Sequence, residues 1–94
     1  MEITEISISL CNQKKLKGFA SIALDDLFVV RGLKIIRGAK GYFIAMPSKP
    51  KHDGSFKDIA HPITREFRSH LEEAVMEQYW REVAKDGQVP DSFS

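Results

Sequence analysis

Residues 64–83 read Thr-Arg-Glu-Phe-Arg-Ser-His-Leu-Glu-Glu-Ala-Val-Met-Glu-Gln-Tyr-Trp-Arg-Glu-Val. Within them Phe67, Leu71, Ala74, Val75, Tyr79 and Val83 recur at the three- and four-residue spacing of one apolar stripe on an α-helix. Thr64 stands just before the first of these and is expected to cap the helix, its hydroxyl accepting a first-turn N–H. Pro62 lies outside the start, and Asp86-Gly87 with Pro90 supply the stop, because glycine tolerates the left-handed conformation common just past a helix C-terminus. A helix with one apolar face needs a surface to cover, and that surface must come from the chain before it.

The preceding residues have the period of strands. In Ile6-Ser7-Ile8-Ser9-Leu10 the apolar side chains alternate and share one face. Asn12-Gln13-Lys14-Lys15 is a polar break suited to a hairpin. Leu16 to Leu24 follows, with Gly18, Ala20, Ile22 and Leu24 facing one way. Asp25-Asp26 marks a turn into the long β-branched run Phe28–Arg37, where Gly32 signals a bulge or bend. Gly38-Ala39-Lys40-Gly41 is a turn, Tyr42–Met46 another strand, and Pro47 its stop. Ser48–Ser55 reads as a polar loop and Phe56–Ile59 as a short final strand. Short connections predict antiparallel neighbours.

The expected fold is therefore α+β: an antiparallel meander of about five strands with one C-terminal helix packed on it. Residues 1–87 form the single domain and 88–94 a flexible tail. One helix covers part of one sheet face, and the uncovered face and open edges lead us to expect a homodimer. A 94-residue chain also leaves a modest stability margin that a subunit contact would strengthen.

Composition narrows the function. Cys11 is the single cysteine, so no intramolecular disulfide or thiolate cage is available, and a reducing compartment is expected. The opening Met1-Glu2-Ile3-Thr4 lacks the basic and apolar regions of a secretory signal, and no apolar run approaches a membrane span; the expected location is the cytoplasm. Net charge is only +1, but its distribution is uneven. Residues 1–68 hold twelve Lys/Arg against seven Asp/Glu, or +5, whereas residues 69–94 hold two against six, or −4. The basic part can present a positive surface that the total conceals.

No catalytic constellation is expected. His52, His61 and His70 lack HxxxH or HExxH spacing, so no metal site is anticipated. Asp25-Asp26 and Glu72-Glu73 are adjacent pairs that diverge on a strand or helix and form no carboxylate dyad. Phosphate-binding glycine loops are absent, and no cofactor is expected.

The cations carry more. Arg31, Lys34 and Arg37 lie along the third strand, where simple alternation places Arg31 and Arg37 on one face and Lys34 on the other. Lys49 and Lys51 follow Pro47-Ser48. Arg65 and Arg68 occupy the start of the helix, where the macrodipole disfavours cations unless an anion is the partner. Tyr42, Phe43 and Phe56 are available either as stacking rings or as core and subunit contacts. Trp80 falls at the edge of the apolar stripe, a place for a subunit contact or for simple packing. With one helix, no helix-turn-helix is possible.

Several segments are specific enough to name a family. Ala20-Ser21-Ile22-Ala23-Leu24-Asp25, Phe28-Val29-Val30, Phe43-Ile44-Ala45-Met46-Pro47-Ser48-Lys49 and Asp53-Gly54-Ser55-Phe56-Lys57-Asp58-Ile59-Ala60-His61-Pro62-Ile63 resemble the SpoVG (stage V sporulation protein G, septation protein) family over residues 1–82. That resemblance implies a small homodimer that binds DNA site-selectively, with RNA binding in some members, and regulates septation, sporulation or related gene expression. Pro50 stands where the family often has a basic residue, with Lys51 one place later, so the loop keeps its charge in a shifted register. On this reading Lys49, Lys51, Arg65, Arg68, Arg31, Lys34 and Arg37 form the nucleic-acid track. The alternative is a non-enzymatic protein–protein adaptor for a division or sporulation partner, and salt dependence separates the two.

Overall fold

A computed structural model describes residues 1–86 of the protein. Four strands, β1 (Ile3–Leu10), β2 (Leu16–Leu24), β3 (Phe28–Gly38) and β4 (Gly41–Ala45), form an antiparallel meander in the order β1-β2-β3-β4. A separate two-stranded hairpin, β5 (Ser48–Pro50) and β6 (Phe56–Asp58), follows, and then the helix α1 (Arg65–Asp86). The α+β class holds, and the flexible tail expected at 88–94 lies outside the described residues.

Two sequence expectations are corrected. Ser48–Ser55 is not all loop, because Ser48–Pro50 is a strand. Phe56–Asp58 does not extend the meander as a fifth strand; it pairs with β5, Lys49 lying opposite Lys57. Proline explains the break. Pro47 and Pro50 cannot donate ladder hydrogen bonds, so the chain leaves the large sheet and forms a short ribbon with its own partner. The Ile59 N–H donates to Pro47 O (2.8 Å) and closes the ribbon at its base.

The β2–β3 connection is a type I′ turn. Asp25 and Asp26 have φ of 52° and 55°, and the Leu27 N–H donates to Leu24 O (2.9 Å). Aspartate tolerates the left-handed region better than most residues. The carboxylate of Asp25 also accepts from the Glu2 N–H (2.8 Å), and the Asp26 N–H donates to Thr4 Oγ1 (2.9 Å), which ties the start of the chain to this turn.

Inward-facing Ala20, Ile22, Leu33, Ile35 and Ile44 meet Leu71, Val75, Tyr79 and Val83 of the helix in one buried core. The helical stripe is thus the one the periodicity predicts. Thr64 is its cap, its hydroxyl accepting the Phe67 N–H (3.2 Å). Trp80 packs edge-on against Tyr42, ring centroids 5.0 Å apart, and both lie partly buried against the core. Tyr42 is therefore a packing residue and no stacking platform, while Phe43 and Phe56 are exposed.

The bulge in β3 overturns the expected faces of its cations. Ala20 pairs with Leu33 but Ile22 pairs with Val30, so β3 carries one extra residue opposite Ser21. Val30 and Leu33 both meet the core although they are an odd number of positions apart. Arg31 and Lys34 consequently share the open face of the sheet, and Arg37, in phase with Leu33 and Ile35, lies on the helix side. Gly32 (φ 85°) makes the bulge possible, and a Cβ there would sit 3.4 Å from Pro47 Cβ. Gly32→Ala is expected to cost about 1–2 kcal/mol, the penalty of the left-handed conformation for an L-residue, measurable in urea.

Candidate nucleic-acid interface

The β5–β6 hairpin places cations where the sequence pattern leaves them scattered. Its turn, residues 51–55, is closed by the Lys51 N–H donating to Ser55 O (2.7 Å) and the Gly54 N–H donating to Lys51 O (3.1 Å). Asp53 braces it from inside the loop, accepting from the Ser55 N–H (3.0 Å) and the Ser55 hydroxyl (2.6 Å). The hydroxyl bond, and after it the backbone bond, favour the charged carboxylate and hold Asp53 below the usual aspartate value of 3.8. This sign means the brace persists above the ordinary aspartate range and is lost as pH falls through the depressed value. The Ser55 amide resonance should accordingly titrate with a midpoint below 3.8.

Opposite residues of an antiparallel pair point to the same side, so Lys49 and Lys57 sit side by side on the ribbon. Like charges in that position destabilise a ribbon by a few tenths of a kcal/mol. Among the described residues neither has an acidic partner. An anion bound between them would remove the repulsion.

Lys51 and Lys57 line an open cleft of about 430 Å³ with Phe56, Asp58, His61 and Arg68. The cleft joins the ribbon to the first turns of α1. Three permanent cations thus face one carboxylate across it. Arg68 is only loosely committed elsewhere, its Nε lying 3.9 Å from the Glu72 carboxylate. His61 Nδ1 donates to Pro62 O (3.0 Å), which leaves Nε2 free of that bond. An oxyanion such as a phosphate finds donors from two sides here, with an exposed phenyl ring beside them.

Of the residues expected to contact nucleic acid, Lys51 and Arg68 meet in the cleft and Lys49 stands on the adjoining ribbon. Arg65 is exposed at the start of α1 and does not line it. Arg31 and Lys34 lie on the open sheet face and Arg37 on the other side, and none of the three lines the cleft. Lys57 and His61 are additions that the sequence reading missed. The signal for Lys57 was Asp53-Gly54, which marks a tight turn whose flanking strands, once paired, set Lys57 against Lys49.

The histidines do not gather. His52 is in the ribbon turn and His70 stacks obliquely on Phe67 (6.1 Å), far along the chain from any second ligating pair. The helix beyond Arg68 turns acidic side chains outward, engaged in part with their own neighbours: Glu77 with Arg81 (2.6 Å) and Glu82 with Lys85 (3.6 Å). That face is ill suited to lie along phosphates.

A family model described as SpoVG matches residues 1–81. "Putative septation protein SpoVG" of Anaeromyxobacter sp. (strain Fw109-5) is 52% identical over 85 residues, covering 90% of this chain and 88% of that protein. Proteins of the same name from Bdellovibrio bacteriovorus and Clostridium beijerinckii are 46% and 44% identical, covering 95% and 92% of this chain and 82% and 96% of their own. With the family model spanning the sheet, the cationic ribbon and most of the helix, the chain belongs to the SpoVG family.

Proposed function

We propose that this protein is a nucleic-acid-binding regulator, acting as a homodimer in the cytoplasm, whose phosphate-contacting surface is the cleft lined by Lys51, Lys57 and Arg68 with Lys49 beside it. The observation that carries the reading is the cross-strand pairing of Lys49 with Lys57, next to a cleft where cations outnumber carboxylates. A binding role fits these residues better than catalysis, since the cleft joins cations to a ring and sets no nucleophile beside a base. The names of its relatives support a role in septation, and sporulation is the pathway from which the family takes its name.

The homodimer rests on the open face of the sheet. Phe19, Val29 and Phe43 are 39%, 52% and 45% exposed there. Sedimentation should give a mass near twice that of the 10.7 kDa chain.

Binding to labelled genomic DNA fragments and to total RNA across a salt series tests the function. Fragment- or transcript-selective binding that weakens steeply with salt is the expected result. Absence of binding to both at low salt would overturn the proposal.

A further inference from the structure

His61 lines both the cationic cleft and a groove of different chemistry. This groove, of about 360 Å³, is walled by Ile22, Leu24, Val30, Leu33, Met46 and Leu71, with Phe67 and Ile63 at its edge. It opens where the last residues before α1 cross the end of the sheet. Ile63 stands 91% exposed at the mouth, the most exposed large apolar side chain of the described residues. A long aliphatic recess with such a rim loses free energy in water and gains it when filled by an apolar group.

We infer that the groove and the cleft together form a docking site for a short extended protein segment that carries a bulky apolar anchor and, a few residues away, one or two carboxylates. Charge complementarity selects this occupant. The apolar anchor enters the groove, and the carboxylates reach Lys51, Lys57 and Arg68 of the cleft that shares His61 with it. An extended chain rises about 3.3 Å per residue, so a spacer of one or two residues spans the width of the imidazole that the two sites share. A nucleobase is the weaker candidate for the groove. Its edge carries donors and acceptors that would be stripped of water against aliphatic carbon with nothing to replace the lost hydrogen bonds. A leucine or phenylalanine side chain has no such groups. The inference does not depend on nucleic-acid binding, although the carboxylates of the segment and a phosphate would compete for one cleft.

The test uses methyl-labelled full-length protein and the probe peptide acetyl-Ser-Gly-Leu-Phe-Ser-Asp-Asp-Gly-amide. Expected are shifts at the methyl groups of Leu24, Val30 and Leu33 together with shifts at the Lys57 amide. Ile63→Asp, a change at an exposed site that leaves the core alone, should weaken the peptide about tenfold. Lys57→Gln should weaken it about threefold, and more at low salt. Replacing Leu-Phe of the probe by Ser-Ser should abolish the methyl shifts. The inference is overturned if that replacement binds as well as the original, or if the peptide moves cleft amides only. It is equally overturned if the same methyl groups shift with protein concentration alone, which would assign the groove to a second copy, or with a single-stranded oligonucleotide and not with the peptide.

Discussion

Replacing Lys51 and Lys57 together by alanine is expected to lower nucleic-acid affinity at least about a hundredfold at low salt, on the scale of 1.5–3 kcal/mol for each charged hydrogen bond lost. The salt dependence carries the sharper signature. Each phosphate contact contributes about 0.9 to the slope of log affinity against log salt on duplex DNA, so the double variant should lose roughly two units of slope. The decisive control removes the same charge elsewhere. Lys14 and Lys15 are exposed in the β1–β2 connection, beside the far end of β3, where the Arg37 N–H donates to Lys15 O (2.8 Å). Lys14→Ala with Lys15→Ala changes net charge equally and should leave affinity within about threefold. Equal losses in the two double variants would mean that binding follows net charge and has no site. An unchanged slope in the ribbon variant would remove the cleft from the interface. Because Lys51 and Lys57 are exposed on a two-stranded ribbon, their loss should leave the thermal midpoint almost unmoved. Binding and stability are thereby read separately.

Ile35→Ala is expected to be among the most damaging single truncations in the core. Ile35 is fully buried on β3, paired with Gly18 on one side and Ile44 on the other. Its Cδ1 fills the space in front of Gly18, where a Cβ would stand 3.5 Å away, so a glycine on the neighbouring strand cannot make up the missing volume. Truncation of a buried isoleucine costs about 2–5 kcal/mol, the cavity term included. Small domains have about 5–15 kcal/mol in all, and each kcal/mol lowers the midpoint of a domain this size by about 4–8 °C. A fall of roughly 10–30 °C in a melt followed by circular dichroism is therefore expected. Lys34→Ala, one position earlier on the open face, should shift stability by less than about 0.5 kcal/mol. If the two variants melt together, the assignment of faces on β3 is wrong.

That assignment shows what a sequence can and cannot disclose here. The helix was legible to its cap and stripe, because periodicity and a threonine cap are local and the apolar face is continuous from Phe67 to Val83. The first four strands were legible too, since each alternates or is β-branched and each is bounded by a polar or glycine turn. Gly32 was readable as a bulge candidate, but its consequence was not. One inserted residue reverses every side chain beyond it, and whether a glycine inserts or merely bends is decided by the register of the partner strand. The β5–β6 ribbon was half visible for a related reason. Three-residue strands have too little pattern to separate from loop, and only pairing reveals that Lys49 faces Lys57.

The cleft is further still from the sequence. Lys51, Lys57, His61 and Arg68 span eighteen positions with no regular spacing and come together through a ribbon, an irregular crossing and the first turns of a helix. By itself the sequence determined the α+β class, the capped helix, the basic bias of residues 1–68 and membership of a family, all of which rest on local periodicity, composition or recognisable segments. The tertiary structure alone decided which cations share a surface, because that depends on strand register and on the path of the chain between elements, and a difference of one residue in either sends a charge to the opposite face.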